Sequence, residues 1–588
     1  MDQTKLPRNV TLIKLSFFLF LGGAAPLAMF LPTIAKQMGY SMSIYGTMIT
    51  CALIITMIAS PIFGYLVDKY RIRKLVFSTG VLVFGIFGFL MTFVPAIPLE
   101  TNSELRCGNN TYLKIISQFN QLPKCDEEQF LDSKMNGHFF CQLNCQENPF
   151  NYDDKSKSLD QYYNNFTRIE KWINSDNYSS NTKEDRHQID ISTEIYFTEH
   201  VENTYVFRIL SAHINDSPIP SLYCQSQINT NCHVNCSVHL LNELASSPTF
   251  KRNVLGLYTF WLFFIVVILL VMSFYVPSAI QSALCLDLLG NKHENYGKIR
   301  CWSSVGWGIS SIASGWLVDY FSSDPKNKNY MPVYCTCLLI SICHFIVILK
   351  IKVVDTNKAK ENKSKIQPNI YRLLKKGYVF IFFVWILVMQ FFHGIISYYL
   401  FWYLDEMTSQ HDCNKRQWIK TLQGLAQGVQ CFGGELPFYF LSGWIIQKLG
   451  YLKSMSLTLV VVSARMFFYS VILNPAWVLL IEISNGMSFA LAEATRMSYA
   501  KLICPPDELN SLMGLIGFFL AGGDCAGSLI GGYLYEAFGG ERMFKLSSFI
   551  VAILCVLHIL SGIFSLSKEF KIKDFTPVST QNEINAKL

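Results

Sequence analysis

Charge is what this chain has least of. Asp, Glu, Lys and Arg make up 15% of its 588 residues, against about 25% in soluble globular domains. That shortage excludes an ordinary soluble domain over most of the length. Two catalytic signatures are also missing. Without a G-x-x-x-x-G-K-[ST] loop no ATP-driven pumping is expected, and without an H-E-x-x-H pair no zinc hydrolase. No other enzyme constellation, metal site or cofactor motif is present, so the chain does not read as an enzyme. No cleavable signal is visible, since the first apolar run, Leu12 to Ile34, is too long for a signal h-region and reads as a first membrane helix.

Apolar residues fill the space that charge leaves. Hydrophobic side chains are 51% and aromatics 14% of the total. Runs of about 20 apolar residues, each long enough to cross a bilayer, fall at 12–34, 43–66, 75–96, 254–286, 299–321, 332–352, 377–403, 418–446, 454–473, 476–502, 511–535 and 543–566. These twelve are helices 1 to 12. The formal charge is +7, but it is unevenly placed: residues 97–252 hold 20 acidic and 13 basic residues, and the remainder is basic. That split follows the positive-inside bias and puts Lys5, Arg8, Lys14 and the Lys-rich linker 353–376 in the cytoplasm. It argues against nucleic acid as a partner. The expected division is 1–96 for helices 1–3, 97–252 for an outer insertion and 253–352 for helices 4–6. After the linker 353–376 come helices 7–12 in 377–566 and a cytoplasmic tail in 567–588. Both termini are then cytoplasmic. The plasma membrane is the expected location, with an endolysosomal membrane as the alternative.

A short frame recurs at the end of the second run of every group of three: GYLVDKY at 64–70, GWLVDYF at 315–321, GWIIQKL at 443–449 and GYLYEAF at 532–538. Each has Gly, a bulky residue, Leu or Ile, any residue, then an acid or amide. Gly lets helices approach closely, and the charged tail holds a helix end at the water. Four copies imply four three-helix units.

The stretch 64–74, GYLVDKYRIRK, resembles the signature loop of the major facilitator superfamily. Gly64, Leu66, Asp68, Lys69, Arg73 and Lys74 match it, while the superfamily's second Gly is Arg71 here and one of its basic positions is Ile72. FLPTIAKQMGYSMSIYG at 30–46, YGKIRCWSSVGWGISSIASGWLVD at 296–319, GELPFYFLSG at 434–443 and GGYLYEAFG at 531–539 are similar to the group around major facilitator superfamily domain-containing protein six. The resemblance implies an all-α, twelve-helix fold of two six-helix bundles built from four inverted three-helix repeats, with a large outer loop between helices 3 and 4. It also implies a gate in which Asp68 packs at the start of helix 11. Arg73 is expected to pair with Asp287 when that gate is shut, and Gly64 allows the close approach; the alternative is that the loop only sets topology by its positive charge. The resemblance names no solute.

The insertion has its own signals. Sequons at Asn109, Asn165, Asn177 and Asn235 mark a glycosylated outer loop; a further one at Asn215 is followed by Pro218. Seven Cys lie within it: Cys107, Cys125, Cys141, Cys145, Cys224, Cys232 and Cys236. Cys413, in the other sizeable outer loop, makes the number even. On the oxidising side of a membrane disulfides are favoured over zinc. CQLNC at 141–145 and CHVNC at 232–236 look like duplicates, and 189–197 and 204–211 read as strands. A small β-rich, disulfide-containing ectodomain is expected.

Charges inside the helices are functional candidates by default. Eight residues before the repeated Gly stand Glu435 in helix 8 and Asp524 in helix 11, with Thr56 and Trp307 at the same place in helices 2 and 5. Eight residues is about 12 Å of helix, close to the midplane where such folds bind solute and coupling ion. His393 of helix 7 falls at similar depth. The competing reading is that these groups only bond neighbouring helices. Arg465 and Glu482 match in depth and read as a structural ion pair. Glu493 and Arg496, three apart on helix 10, read as an inner-gate pair. SYYLFWYL at 397–404 is expected as an interfacial aromatic belt, with a substrate-stacking wall as the alternative. Two functions remain: a secondary transporter that moves an unidentified small solute by alternating access, driven by a proton or ion or by facilitated diffusion, and a cell-surface receptor whose ectodomain binds an outside ligand.

Overall fold

The computed structural model describes residues 5–70, 72–97, 99–101, 103–107, 111–116, 138–145, 189–201, 204–214, 217–219, 228–237, 241, 246–248, 254–289, 296–325, 327–351, 377–411, 413–503 and 509–569. The chain divides into two compact units. Met1–Pro95, Trp261–Thr408 and Asn414–Leu588 form the first, and Ala96–Phe260 with Ser409–Cys413 the second.

The first unit is helical. Its elements are α1 Lys5–Gln37, α2 Met42–Tyr70, α3 Arg73–Leu90, α4 Tyr258–Leu289, α5 Tyr296–Tyr320, α6 Met331–Lys350 and α7 Gly377–His411. Next comes α8, an interrupted rod made of Ile419–Val429, the π-turn Gln430–Glu435 and Leu436–Leu449. It is followed by α9 Tyr451–Val471 and by α10, interrupted in the same way as Val478–Ile483, the π-turn Gly486–Ala490 and Leu491–Ile503. The last helical stretch, Leu509–Glu569, is broken at Gly539, where φ is +78°; α11 lies before the break and α12 after it. Among the described residues nine helices are long and apolar enough to cross a membrane. The positive φ at Gly539 recurs at Gly450, which ends α8 with φ +79°. Both follow a copy of the repeated frame, and both need glycine because a Cβ is strained in that region. Arg71 occupies the corresponding place after α2.

The end of this unit at which residues 97–253 are inserted is the insertion end; the opposite end, between α6 and α7, is the linker end. At the insertion end the halves α1–α6 and α7–α12 are pressed together. A Cβ on Gly46 of α2 would strike the Ser528 carbonyl of α11, and one on Gly424 of α8 would strike the Ser311 carbonyl of α5. At the linker end Gly64 of α2, Gly443 of α8, and Gly514 and Gly517 of α11 have open space where a Cβ would stand. The helices therefore converge at one end and splay at the other. Small residues set the convergence by allowing close backbone contact.

One expectation is corrected here. Tyr399, Phe401, Trp402 and Tyr403 of α7 are buried, with at most 8% exposed. They pack on protein rather than forming an outward belt: Trp402 on Tyr45, Tyr399 on Tyr535 and Tyr403 on Phe544. The run lies where the two halves meet, so its rings serve that seam.

The second unit is a β-structure. Its strands are β1 Leu99–Thr101, β2 Ser103–Cys107, β3 Thr111–Ile116, β4 His138–Cys145, β5 Ile189–Val201, β6 Thr204–Ile214, β7 Ser217–Ile219, β8 Ile228–Cys236 and β9 Ser246–Pro248. The main sheet runs β3-β2-β8-β4-β5-β6-β7, and an extra β3–β6 pairing joins its flanks. Alternate residues point inward, as period two requires: Phe139, Cys141 and Leu143 on β4, and Cys232, Val234 and Cys236 on β8, are buried in one cluster. The two C-x-x-x-C segments lie antiparallel, with Cys141 opposite Cys236 and Cys145 opposite Cys232. Cys141 and Cys236 form a disulfide, and Cys232 is also disulfide-bonded. The side chains of Cys107, Cys145 and Cys413, and Cys125 and Cys224 entirely, lie outside the described residues, as do Asn109, Asn165, Asn177 and Asn215. Asn235 is exposed on β8.

The bridge joins β4 to β8 across 95 residues of chain. Cys141→Ser is therefore expected to destabilise the β-unit by about 2–5 kcal/mol. Limited proteolysis of the full chain in increasing urea checks this: cleavage within 189–214 should begin at lower urea in the variant, while Cys51→Ser, which alters a free thiol, should behave as the parent.

Candidate functional site

The mid-depth carboxylates have different surroundings. Glu435 closes the π-turn of α8, and that turn packs on the π-turn of α10. A Cβ on Gly434 would come within 3.0 Å of the Gly486 amide. The extra residue of a π-turn re-aims the side chains that follow it, which is why such turns recur at functional sites. Here it brings Glu435, 7% exposed, against three donors. Ser304 Oγ of α5 donates at 2.8 Å to Oε2, and Asn485 Nδ2 and Gln430 Nε2 at 3.3 and 3.4 Å to Oε1. Ser304 belongs to the other half, so this carboxylate ties the halves at mid-depth.

Asn485 continues the chain of contacts. Its Oδ1 accepts from Arg465 Nη1 at 2.6 Å, and the same nitrogen donates to Ser488 Oγ at 2.8 Å. Arg465 Nη2 donates to Glu482 Oε2 at 2.9 Å and to Tyr469 OH at 2.9 Å, while the Tyr469 hydroxyl donates to Glu482 Oε1 at 2.6 Å. The Arg465–Glu482 pair is buried on both sides, at 3% and 2% exposure. Charged groups out of water need this degree of pairing.

Asp524 is less encumbered. Among the described residues Gln390 Nε2 of α7 donates to its Oδ1 at 2.8 Å. Gly394 lies beside it, where a Cβ would stand 3.3 Å from Oδ1. One turn before Gly527, α11 runs close enough to α7 that the Gly523 and Gly527 positions face the α7 backbone. Arg496 of α10 and the hydroxyls of Tyr275 and Tyr398 lie within electrostatic reach of Asp524. His393 stacks on Phe489 with centroids 4.9 Å apart, and its Nδ1 stands 3.4 Å from Ser397 Oγ. The equivalent positions in the other half hold no carboxylate: Thr56 is buried and bonds its own helix at Ala52, and Trp307 Nε1 donates to Gln427 Oε1 at 2.9 Å.

The expected gate residues are distributed as follows. Glu493 and Arg496 form an ion pair one turn apart on α10. Gly64 faces open space, and Arg73 is half-buried at the start of α3. The side chains of Asp68 and Asp287 lie outside the described residues. Lys74 donates to the carbonyls of Leu349 and Ile351 at 2.7 and 3.0 Å, placing a cation at the C-terminus of α6, where the helix dipole favours it.

The closed insertion end carries residues that sequence reasoning passed over. Asp319 of α5 accepts from Lys328 Nζ at 2.8 Å and from Thr421 N and Oγ1 at 2.6 and 2.8 Å. Lys420 is 2% exposed and donates to Asp405 Oδ2 at 2.6 Å while standing over the rings of Phe30 and Tyr330. Both join one half to the other. Lys420, Asp405 and Asp319 sit near run ends, where charge is ordinary, so depth gave no signal. Gln390, Gln423 and Asn485 could have been found as amides inside apolar runs.

Two helical halves, pressed together at one end, open at the other and holding one buried and one half-buried carboxylate at mid-depth, define a multi-pass membrane protein of the transporter class. The sequence model of the MFS_1 like family matches residues 10–546. The chain belongs to that family and is a secondary transporter of the major facilitator superfamily. A maltose permease of Geobacillus stearothermophilus is 24% identical over 294 residues, which are 48% of this chain and 68% of the permease. The nucleoside transporter NupG superposes with a TM-score of 0.55 at 10% identity, over 94% of this chain and 99% of its own. A D-xylose-proton symporter gives 0.52 at 10% identity, over 93% and 96%. An inward-facing, unoccupied bacterial homolog of the human lysosomal transporter Spinster gives 0.52 at 9%, over 98% and 100%. At these identities the structural likeness concerns fold alone. The receptor alternative finds no support among these relatives.

Removing one member of a buried ion pair strands the other. Arg465→Met is expected to lower stability by about 3–5 kcal/mol, and Arg465→Met with Glu482→Leu to recover at least half of that. Thermal unfolding of the three proteins in one detergent checks it; a double variant no more stable than the single would show that the pair is not the unit.

Proposed function

We propose that the chain is a proton-coupled symporter of an uncharged polar solute, with Asp524 as the coupling group and Glu435 as the mid-depth tie between the halves. The observation that carries this is the unequal bonding of two carboxylates at equivalent repeat positions. Glu435 is held by three donors on three elements and leads into the Arg465–Glu482 pair. Asp524 has the Gln390 amide and a guanidinium within reach, a setting that leaves a carboxyl free to exchange a proton. The fixed charges around the site are matched mainly by one another. The half-buried amides Gln390, Gln427 and Gln430, each with hydrogen-bonding capacity beyond the one bond given above, and the half-buried rings Trp307 and Phe489 suit a neutral molecule with several hydroxyls. The solutes for which the relatives above are named, maltose, nucleoside and D-xylose, are of that kind.

Twelve crossings are part of this proposal. α5 has the length to cross, α8 has it across its π-turn, and Leu509–Glu569 turns at Gly539 and so counts twice; these four join the other eight helices. Termini and linker in the cytoplasm, the 97–252 unit outside and the plasma membrane as location follow from the charge distribution. The structure is then open to the cytoplasm. Asp68, at the start of α11, and the Arg73–Asp287 pair would close that end in the opposite state. An Asp319-type tie would be lost there.

Uptake of neutral labelled metabolites into proteoliposomes, with and without an inward proton gradient, tests the proposal. A lower outside pH should raise accumulation. Asp524→Asn should cut gradient-driven accumulation at least tenfold while leaving solute exchange at zero gradient. An undiminished gradient response in Asp524→Asn contradicts the assignment.

A further inference from the structure

The fourth residue after each repeated Gly is Asp68, Asp319, Gln447 and Glu536. Two of these can be followed in the structure, and they do the same thing. Asp319 of α5 accepts from the backbone amide of Thr421, in the first turn of α8. Glu536 of α11 accepts from the backbone amide of Ser43, in the first turn of α2, at 3.2 Å. Each acid reaches out of its own half and caps the N-terminus of a helix in the other. The first amides of a helix have no partner within it and carry a partial positive charge, so an anion is the fitting cap. Both contacts lie at the insertion end, which is closed.

The repeat that relates these two also relates the other two. Asp68 ends α2 and Gln447 ends α8, both at the linker end, and their partner helices, α11 and α5, begin there. That end is open: Gly64 and Gly443, four residues earlier, face empty space, and Gln447 is exposed. We infer that the four positions are interchangeable helix caps, two for each closed state, and that their chemistry sets the resting balance of states. The insertion end has two carboxylates. The linker end has one carboxylate and one amide. An amide oxygen can accept the hydrogen bond but brings no charge to the helix dipole. The state closed at the insertion end is therefore favoured, and Gln447 is the position through which this chain departs from symmetry. A group that bonds in one state alone shifts the balance by that bond's strength.

Gln447→Glu tests this, because Gln447 is exposed in the state described and its replacement disturbs no contact there. Hydrogen exchange is measured on the full-length parent and variant in lipid nanodiscs. Amides of 42–46 and 419–423 should exchange faster in the variant, and those of 296–300 and 509–513 slower, each by about twofold to tenfold. Glu536→Gln, which weakens a cap at the insertion end, should move both sets in the same direction. Unchanged exchange at both ends in Gln447→Glu overturns the inference, as does slower exchange at 42–46 and 419–423. The measurement needs no solute and no gradient, so its failure would leave the symport proposal standing, and the reverse holds.

Discussion

A charge carried into an apolar bundle must find its partner there, and much of this structure follows from that constraint. The chain Glu435–Asn485–Arg465–Glu482 satisfies it through side chains from α8, α9 and α10, with Ser304 of α5 added from the other half. Two carboxylates share one guanidinium, Glu482 directly and by way of Tyr469, Glu435 by way of the Asn485 amide. The geometry depends on two π-turns that pack on each other at Gly434 and Gly486. A regular helix would turn Glu435 away from that junction. The network thus explains why both α8 and α10 depart from regularity at the same depth.

The remaining carboxylate gains its interest by contrast. Asp524 stands at the repeat equivalent of Glu435 but outside the network, on the helix that meets α2 at the insertion end. There Thr50 and Ser528 share a hydrogen bond at 2.7 Å, and Tyr535 donates to Glu406 at 2.5 Å. α11 is splayed at its other end. A proton held or released midway along such a helix changes what that helix can tolerate on each side, which is the physical link between protonation and the state of the gate.

Much of this was legible in the sequence, and the rest was hidden for identifiable reasons. The repeated Gly frame placed Glu435 and Asp524 at equal depth because helix rise is a local constant. The alternation in 189–197 and the run 204–211 announced β5 and β6 because strand period is local too. The π-turns were not legible, since QCFGGE and GMSFA differ from ordinary helix only through the packing that holds them. Nor were the partners Ser304 and Gln390, 131 and 134 residues from their carboxylates. The aromatic run at 397–404 suggests an interfacial belt because composition cannot tell a membrane interface from a protein seam.

The central claim is that Asp524 and Glu435 have parted roles, one exchanging a proton and one holding the halves. Infrared difference spectroscopy between acidic and neutral buffer observes this directly through the C=O stretch of protonated carboxyl groups. The account predicts a pH-dependent carboxyl band in the parent protein that is lost in Asp524→Asn and kept in Glu435→Gln. A band that survives in Asp524→Asn and vanishes in Glu435→Gln would contradict it.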